Sequence, residues 1–205
     1  MNFSELFASA KENAAFLGVS LIVIIIVAVI AGVSEKLIGC KHDERMRTKR
    51  IAFIGIFSAI AAILMYLEIP LWFAPPFYKI DFSEVPVLIC AFAYGPVAGV
   101  IAELLKVVLK LFIKGTSSAF VGDLANFIIG CTMILPASII YHIKKTRKTA
   151  LLGMTAGTVI MTIFGSIFNA VYLLPTFSVL YGMPLEAIIA MGTAVNVNIT
   201  DITTL

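Results

Sequence analysis

Long uncharged apolar stretches alternate with short polar segments along the whole chain. The apolar stretches lie at residues 14–33, 51–67, 85–113, 124–141 and 150–173. An α-helix needs roughly 17–25 apolar residues to cross a bilayer. Each stretch therefore predicts at least one membrane-spanning helix, and a weaker apolar run follows at residues 187–195.

The stretch at residues 85–113 is too long for one straight crossing. As a single helix its 29 residues would measure about 44 Å at 1.5 Å per residue, against a hydrocarbon core of about 30 Å. Gly95-Pro96 interrupts it with a strong breaker pair. Two crossings would also place the basic segments at residues 45–50 and 144–148 on the cytoplasmic side, as the positive-inside rule favours. We therefore predict two helices joined by a cytoplasmic turn.

The composition supports a polytopic membrane protein made only of α-helices. The chain of 205 residues is 60% hydrophobic and 13% charged, with a mean hydropathy of +1.05, whereas a soluble domain is about half apolar and a quarter charged. The net charge of +3 comes from short basic loops that set orientation, so it does not indicate nucleic-acid binding. The three cysteines form no CxxC pair, and packing is their simplest role.

Charged side chains inside the predicted helix after Gly95 are the first candidates for function. Glu103, Lys106 and Lys110 follow the spacing i, i+3, i+7 and share one helical face. One interpretation is a buried ion pair that shapes a site or a partner surface. The other, which we favour, is a self-neutralising structural pair with Lys110 reaching to the membrane surface.

Two polar pairs near the ends of later helices are candidates for ligand binding. Asp123 and Asn126 open one predicted helix, and Asn169 and Tyr172 lie near the end of the next. Asp123 can simply favour the helix dipole, but an Asn deeper in an apolar helix usually bonds a neighbouring helix or a ligand. Asn126, Asn169 and Tyr172 together suit a neutral heterocycle with several hydrogen-bond acceptors better than an ion.

Small residues on the helix at residues 51–67 form two pairs with small-xxx-small spacing, Gly55/Ala59 and Ser58/Ala62. Such pairs allow close helix approach, either within the bundle or against a partner. The sequence shows no P-loop, no Rossmann glycine pattern and no Ser/His/Asp set at one depth. We therefore expect no catalytic residues, no metal ligands and no enzyme activity.

These motifs resemble one family of membrane transporters. The run KIDFSEVPVLICAFAYGPVAGVIAELLKVVLKLFIKGTSS, followed by VGDLANFIIG, resembles the riboflavin-specific S component (substrate-binding subunit) of energy-coupling-factor (ECF) vitamin transporters. The resemblance extends from about Lys49 to Leu205. It implies an S-component helix bundle that captures riboflavin from outside and docks with a transmembrane coupling protein and two cytoplasmic ATPases.

The resemblance also implies roles for individual residues. The expected ligand-binding residues are Lys79, Asp81, Asn126, Asn169 and Tyr172, and the aromatic loop residues Trp72, Phe73, Phe77 and Tyr78 would cover the flavin ring. The expected docking residues are Ser58 and Ala62, with Gly55 and Ala59 as further candidates.

The chain departs from the family pattern at both ends. Residues 1–48 would form an extra N-terminal transmembrane helix and a basic cytoplasmic linker. Residues 49–205 would form the S-component domain, which lacks the expected last helix after Leu205.

We thus predict a riboflavin-binding subunit of an ATP-driven uptake transporter, multi-pass in a prokaryotic plasma membrane, with no cofactor other than the transported ligand. Two alternatives stay open. The chain could be an S component for another vitamin or small ring compound, or a membrane scaffold subunit without a ligand.

Overall fold

The computed structural model describes residues 14–40, 46–72, 79–116, 120–182, 184–195 and 201 as a bundle of α-helices. The helices are α1 (Ala14–Ile38), α2 (Arg47–Tyr66), α3 (Glu84–Tyr94), α4 (Pro96–Lys114), α5 (Val121–Lys144), α6 (Arg147–Phe168), α7 (Leu174–Tyr181) and α8 (Leu185–Val195); one π-helical turn, Asn169–Leu173, joins α6 to α7. By length and composition, four helical segments of the described chain can cross a membrane: Gly18–Ile38, Arg47–Tyr66, Val121–Lys144 and Arg147–Ser178. The predicted all-α membrane fold is confirmed.

The Gly95-Pro96 pair does separate two helices, as its sequence predicts. Gly95 ends α3 with φ +96°, a backbone conformation that glycine adopts without steric cost, and Pro96 is the first residue of α4. With 11 residues, α3 is about 17 Å long, well short of a hydrocarbon core of about 30 Å. The side of the membrane on which this turn lies therefore stays a prediction.

Two short strands at the opposite end of α3 were not expected from the sequence. Strand β1 (Ile69–Pro70) pairs antiparallel with β2 (Lys79–Ile80), with Ile69 opposite Ile80. The pairing holds the two ends of the segment between α2 and α3 together, and we call the two paired strands the hairpin. We call this end of the bundle, with the C-terminus of α4 and the start of α5, the hairpin end, and the end with Gly95 the turn end.

The helices pack through small residues, which let their backbones approach closely. Ala61 of α2, Ala91 of α3 and Ala98 of α4 are fully buried in one cluster. The most extensive helix contact joins α5 to α6. A Cβ atom on Gly157 would lie 2.5 Å from the Met133 carbonyl oxygen, so only glycine fits there.

The last long helix continues further than predicted. We expected a span ending near residue 173 and a loop at Leu174-Pro175, but helical structure continues from Arg147 to Tyr181. The π-helical turn explains why Pro175 does not end it. The amide of Leu174 bonds the Asn169 carbonyl five residues earlier, and this shift of the hydrogen-bond ladder accommodates the proline ring.

The extra N-terminal helix α1 packs against α4 and α5. Ala31 is fully buried in that contact, whereas Ile22, Ile25 and Ile26 on the other side are more than half exposed. Glu35 near its end accepts a hydrogen bond from the Val97 amide at 3.0 Å. The proposed division of the chain at residue 48 stays a prediction, although α1 rests directly on the bundle.

Candidate ligand-binding site

Asn169 is the first residue of the π-helical turn between α6 and α7. Such turns inside α-helices occur frequently at functional sites. Phe164, Phe168 and Tyr172 follow the same helical face, and consecutive rings are stacked with centroids 5.5 and 5.1 Å apart. The row ends at Tyr172, and this residue is 38% exposed. An amide and a flat aromatic surface are therefore adjacent on this segment.

Asn126 carries a buried oxygen without a hydrogen-bond donor. Its Oδ1 atom has no partner among the described residues. Leaving such an acceptor unpaired costs about 1–3 kcal/mol. A ligand that offers an N–H or O–H group at this position would recover that cost.

A small apolar cluster joins the two predicted asparagine positions. Val121 and Ala125 of α5 are buried together with Leu173 of the π-helical turn, and Phe168 and Phe177 pack against them. Asn126 follows Ala125 directly, and Asn169 lies one helical turn before Leu173. The structure thus brings the two segments together at the hairpin end. That Asn126 and Asn169 share one ligand site stays a prediction.

The two loop candidates already have partners within the protein. Lys79 on β2 forms an ion pair with Glu68. Asp81 accepts a hydrogen bond through Oδ1 from the Ser83 amide at 2.7 Å, just before α3 begins. Trp72 is 90% exposed, and the other three aromatic residues predicted to cover the ligand, Phe73, Phe77 and Tyr78, lie outside the described residues.

Each lysine of α4 pairs with a carboxylate from another element. Lys106 contacts Glu84 of α3 as well as Glu103, Lys110 contacts Asp123 of α5, and Lys114 contacts Glu68. The expected Glu103–Lys106 pair is therefore present. The expectation that Lys110 reaches the membrane surface is wrong, because Asp123 lies 2.5 Å from its ammonium inside the bundle. The same contact gives Asp123 a structural partner.

Two carboxylates in this network escaped the sequence reasoning. Glu68 bonds both Lys79 and Lys114 and so fastens the hairpin to the end of α4. Burial alone would raise the pKa of Glu68, but Lys114 and Lys79 outweigh burial and hold that pKa below its ordinary value. Glu84 bonds the Lys106 ammonium from the first turn of α3. The available signal was an acidic residue at the border of a membrane segment, which needs a cationic partner.

The four small residues of α2 fall on two different faces. Ser58 and Ala62 are buried in the bundle, with 0% and 1% exposure, and the Ser58 hydroxyl donates to the Ile54 carbonyl at 2.6 Å. Gly55 and Ala59 are exposed. Ser58 and Ala62, the best-matching docking candidates, are thus inaccessible to a partner in this structure, because their side of α2 packs against α3 and α4.

The described residues show no group of three or more His, Cys, Asp or Glu side chains that could hold a metal ion. Cys90 and Cys131 are buried free thiols, and Cys40 is partly exposed. The polar groups at the hairpin end therefore offer hydrogen bonds, charge and a flat ring surface.

Comparisons with known proteins agree with this architecture. The family model "ECF transporter, substrate-specific component" matches residues 49–203. The chain is 37% identical to the riboflavin transporter FmnP of Bacillus subtilis over 151 residues, 73% of this chain and 80% of that protein. It is 38% identical to the riboflavin transporter RibU of Staphylococcus aureus over 146 residues, 71% of this chain and 76% of that protein.

A solved structure shares the fold. It is described as the S component of a bacterial ECF transporter, and it superposes with a TM-score of 0.59 at 35% sequence identity, covering 75% of this chain and 89% of the other. The matched region begins after α1, so the extra helix lies outside the family model. By sequence and by fold, the chain belongs to the substrate-specific components of ECF transporters.

Proposed function

We propose that this chain is the riboflavin-binding subunit of an ATP-driven ECF transporter in a prokaryotic plasma membrane. One observation carries the choice of ligand: relatives at 37% and 38% identity, each covering more than two thirds of the chain, are named riboflavin transporters. Relatives of this kind are transporters, so the role is binding and uptake, without chemical change of the vitamin.

The polar groups at the hairpin end suit riboflavin. The ligand has a flat ring system with acceptor atoms and one N–H group, and a chain of hydroxyl groups. The ring would stack near Tyr172, as aromatic pairs prefer. The amide groups of Asn126 and Asn169 would bond ring or hydroxyl atoms, and the unpaired Oδ1 of Asn126 would accept from a ligand donor.

The hairpin between α2 and α3 would cover the bound vitamin. Glu68 holds it against the end of α4 through Lys114, and Lys79 lies in the same ion cluster. Asp81 uses Oδ1 to fix the start of α3, and its other carboxylate oxygen would face the ligand. Trp72, two residues after β1, would supply aromatic surface.

Riboflavin titration tests the proposal directly, because bound flavin loses fluorescence when it stacks on aromatic rings. Removing one hydrogen-bonding group from a buried site costs about 1–3 kcal/mol, or roughly 5–150-fold in affinity. We expect losses of this size for Asn126→Ala and for Asn169→Ala. Thr158→Ala on the exposed side of α6 is the matched control and should bind like the wild type.

Two results would contradict this assignment. No riboflavin binding by the wild-type protein, with a thermal shift from another vitamin, would indicate a different ligand. If no vitamin shifts the melting temperature, and if Asn126→Ala and Asn169→Ala change only stability, the protein is a scaffold subunit.

The transporter partners would dock on the exposed face of α2. Gly55 and Ala59 lie on this face, and a Cβ on Gly55 would meet nothing within 4 Å. A small-residue stripe lets a partner helix approach closely. We assign docking of the coupling protein, and through it of the two ATPases, to these two residues and no longer to Ser58 and Ala62.

A bulky substitution on this stripe tests docking independently of ligand binding. We expect Gly55→Leu to retain riboflavin affinity and to lose co-purification with the coupling protein and ATPases expressed in the same cells. Gly32→Leu on α1, where a Cβ also meets nothing within 4 Å, is the control. Equal co-purification of both variants would show that the partner docks elsewhere.

A further inference from the structure

Three charged side chains meet inside the bundle, and none of them belongs to the proposed ligand site. The Lys106 ammonium lies 2.7 Å from Glu84 Oε1 and 2.7 Å from Glu103 Oε1. The side chains of Glu103 and Lys106 are fully buried. We call these three residues the Lys106 cluster.

The Lys106 cluster has more acceptors than donors. If all three groups are ionised, two carboxylates face one ammonium and the cluster carries a net negative charge in an apolar bundle. Within the described residues, Glu84 Oε2 and both carboxyl oxygens of Glu103 are buried and accept no hydrogen bond, although Glu103 Oε1 lies within ion-pair distance of Lys106. Leaving a buried charged oxygen without a donor is costly, so the cluster lacks one donor and one positive charge.

The neighbouring elements do not supply the missing charge. The charges that act on the Glu103 carboxyl within the described chain are Lys106, Glu84 and Asp81. Helix α5 contributes the Cys131 thiol, a neutral group close to the same carboxylates. The charged residues Glu35 of α1 and Arg50 of α2 pair with each other at the turn end.

Helix α5 is shaped to receive the Glu103 carboxyl group. A Cβ atom on Gly130 would lie 2.3 Å from Glu103 Oε1 and 3.0 Å from Glu84 Oε1. The two carboxyl groups therefore fill the space beside the α5 backbone that a side chain would occupy elsewhere. This close approach keeps both groups around Lys106.

We propose that the Lys106 cluster is a proton-binding site and that Glu103 holds the proton. The two carboxyl groups differ in environment, which decides the assignment. Glu84 lies in the first turn of α3, where the helix dipole favours negative charge, and its side chain is 23% exposed. Glu103 lies within α4 and is fully buried. A neutral Glu103 balances the cluster and supplies the missing O–H donor.

Infrared spectroscopy of the purified full-length chain tests the protonation directly. A protonated carboxyl group absorbs at a different infrared frequency from a carboxylate. The wild type at neutral pH should therefore show the band of a protonated carboxyl group, and Glu103→Gln should lose it. Glu84→Gln should lose the band as well, because Glu103 is then the carboxyl group left to balance the Lys106 ammonium and should be ionised. A wild type without the band, or a band that persists in Glu103→Gln, would overturn the proposal.

The pH dependence of thermal unfolding provides a second measurement. Raising the pH removes the proton from folded Glu103 and leaves the buried cluster with excess negative charge, so wild-type stability should fall on the alkaline side. Glu103→Gln, which is neutral at every pH and keeps a donor, should lack this fall. Glu186→Gln on the exposed start of α8 is the control and should follow the wild type. An alkaline fall of equal size in Glu103→Gln would refute the assignment.

Discussion

Glu35 links the extra helix α1 to the turn end of the bundle, and replacing it should loosen that end. Glu35 Oε2 accepts a hydrogen bond from the Val97 amide at 3.0 Å, and Oε1 lies 3.6 Å from the Arg50 guanidinium. Val97 is the second residue of α4, so its amide is one of those that the helix itself cannot satisfy. A side chain 62 residues earlier thus caps α4.

The size of the effect follows from this geometry. Loss of a helix N-cap costs about 0.5–2 kcal/mol, and a negative charge near a helix N-terminus contributes about 0.3–1 kcal/mol more. The Glu35 side chain is only 12% exposed. Water therefore has little access to the Val97 amide and compensates only in part when the carboxylate is removed. We expect Glu35→Ala to lower the free energy of unfolding by about 1–3 kcal/mol. Glu35→Gln keeps an acceptor oxygen and should lose about half as much.

Equilibrium unfolding in detergent micelles measures these differences, and amide hydrogen exchange locates them. The Val97 amide should exchange faster in Glu35→Ala than in the wild type, because it loses its acceptor. Lys36→Ala, an exposed neighbour on α1, is the control and should stay within about 0.5 kcal/mol of the wild type. Equal stability of Glu35→Ala and Lys36→Ala, with unchanged exchange at Val97, would refute the capping role.

Three further predictions concern other contacts. Burial opposes the two lysine partners of Glu68, but the lysines lower the pKa of its carboxyl group. The contact therefore stabilises the hairpin at pH values above the ordinary carboxylate pKa, and this stabilisation is lost as the pH falls through the pKa of Glu68 in the folded protein. Hydrogen exchange of the hairpin should show this acid step in the wild type and not in Glu68→Gln. Gly157→Leu should separate α5 from α6 and destabilise the protein by about 1–3 kcal/mol, whereas Gly165→Ala, whose Cβ would meet only a methyl group at 3.8 Å, should melt like the wild type. Lys110→Met leaves the nearly buried Asp123 carboxylate unpaired and should cost about 3–5 kcal/mol; adding Asp123→Asn should recover most of the loss, and no recovery would contradict the ion pair.

Local sequence rules succeed where a feature depends on neighbouring residues. Gly95-Pro96 marks a turn because glycine adopts the positive φ and proline suits the first helical position. The same local rules fail at Pro175. There the chain continues as a helix because a π-helical turn shifts the hydrogen bonds, and single-residue preferences do not encode that shift.

Helical periodicity identifies faces but not what each face contacts. The spacing of small residues on α2 separates Gly55 and Ala59 from Ser58 and Ala62, but only packing shows that the second pair is buried. The depth of Asn126 and Asn169 in their helices follows from counting residues. The cluster that Val121 and Ala125 form with Leu173 beside these asparagines depends on how α5 and the π-helical turn pack.

The sequence by itself determined the membrane class, most of the helices and the family resemblance, and it proposed the polar residues of the candidate site. These follow from composition, apolar stretch length and short motifs, all of which are local along the chain. The tertiary structure decided which charges meet. Glu68 with Lys114, Glu84 with Lys106 and Glu35 with the start of α4 are separated by 46, 22 and 62 residues. Such pairs form only when packing brings distant helices together, because no periodicity within one helix specifies a partner on another.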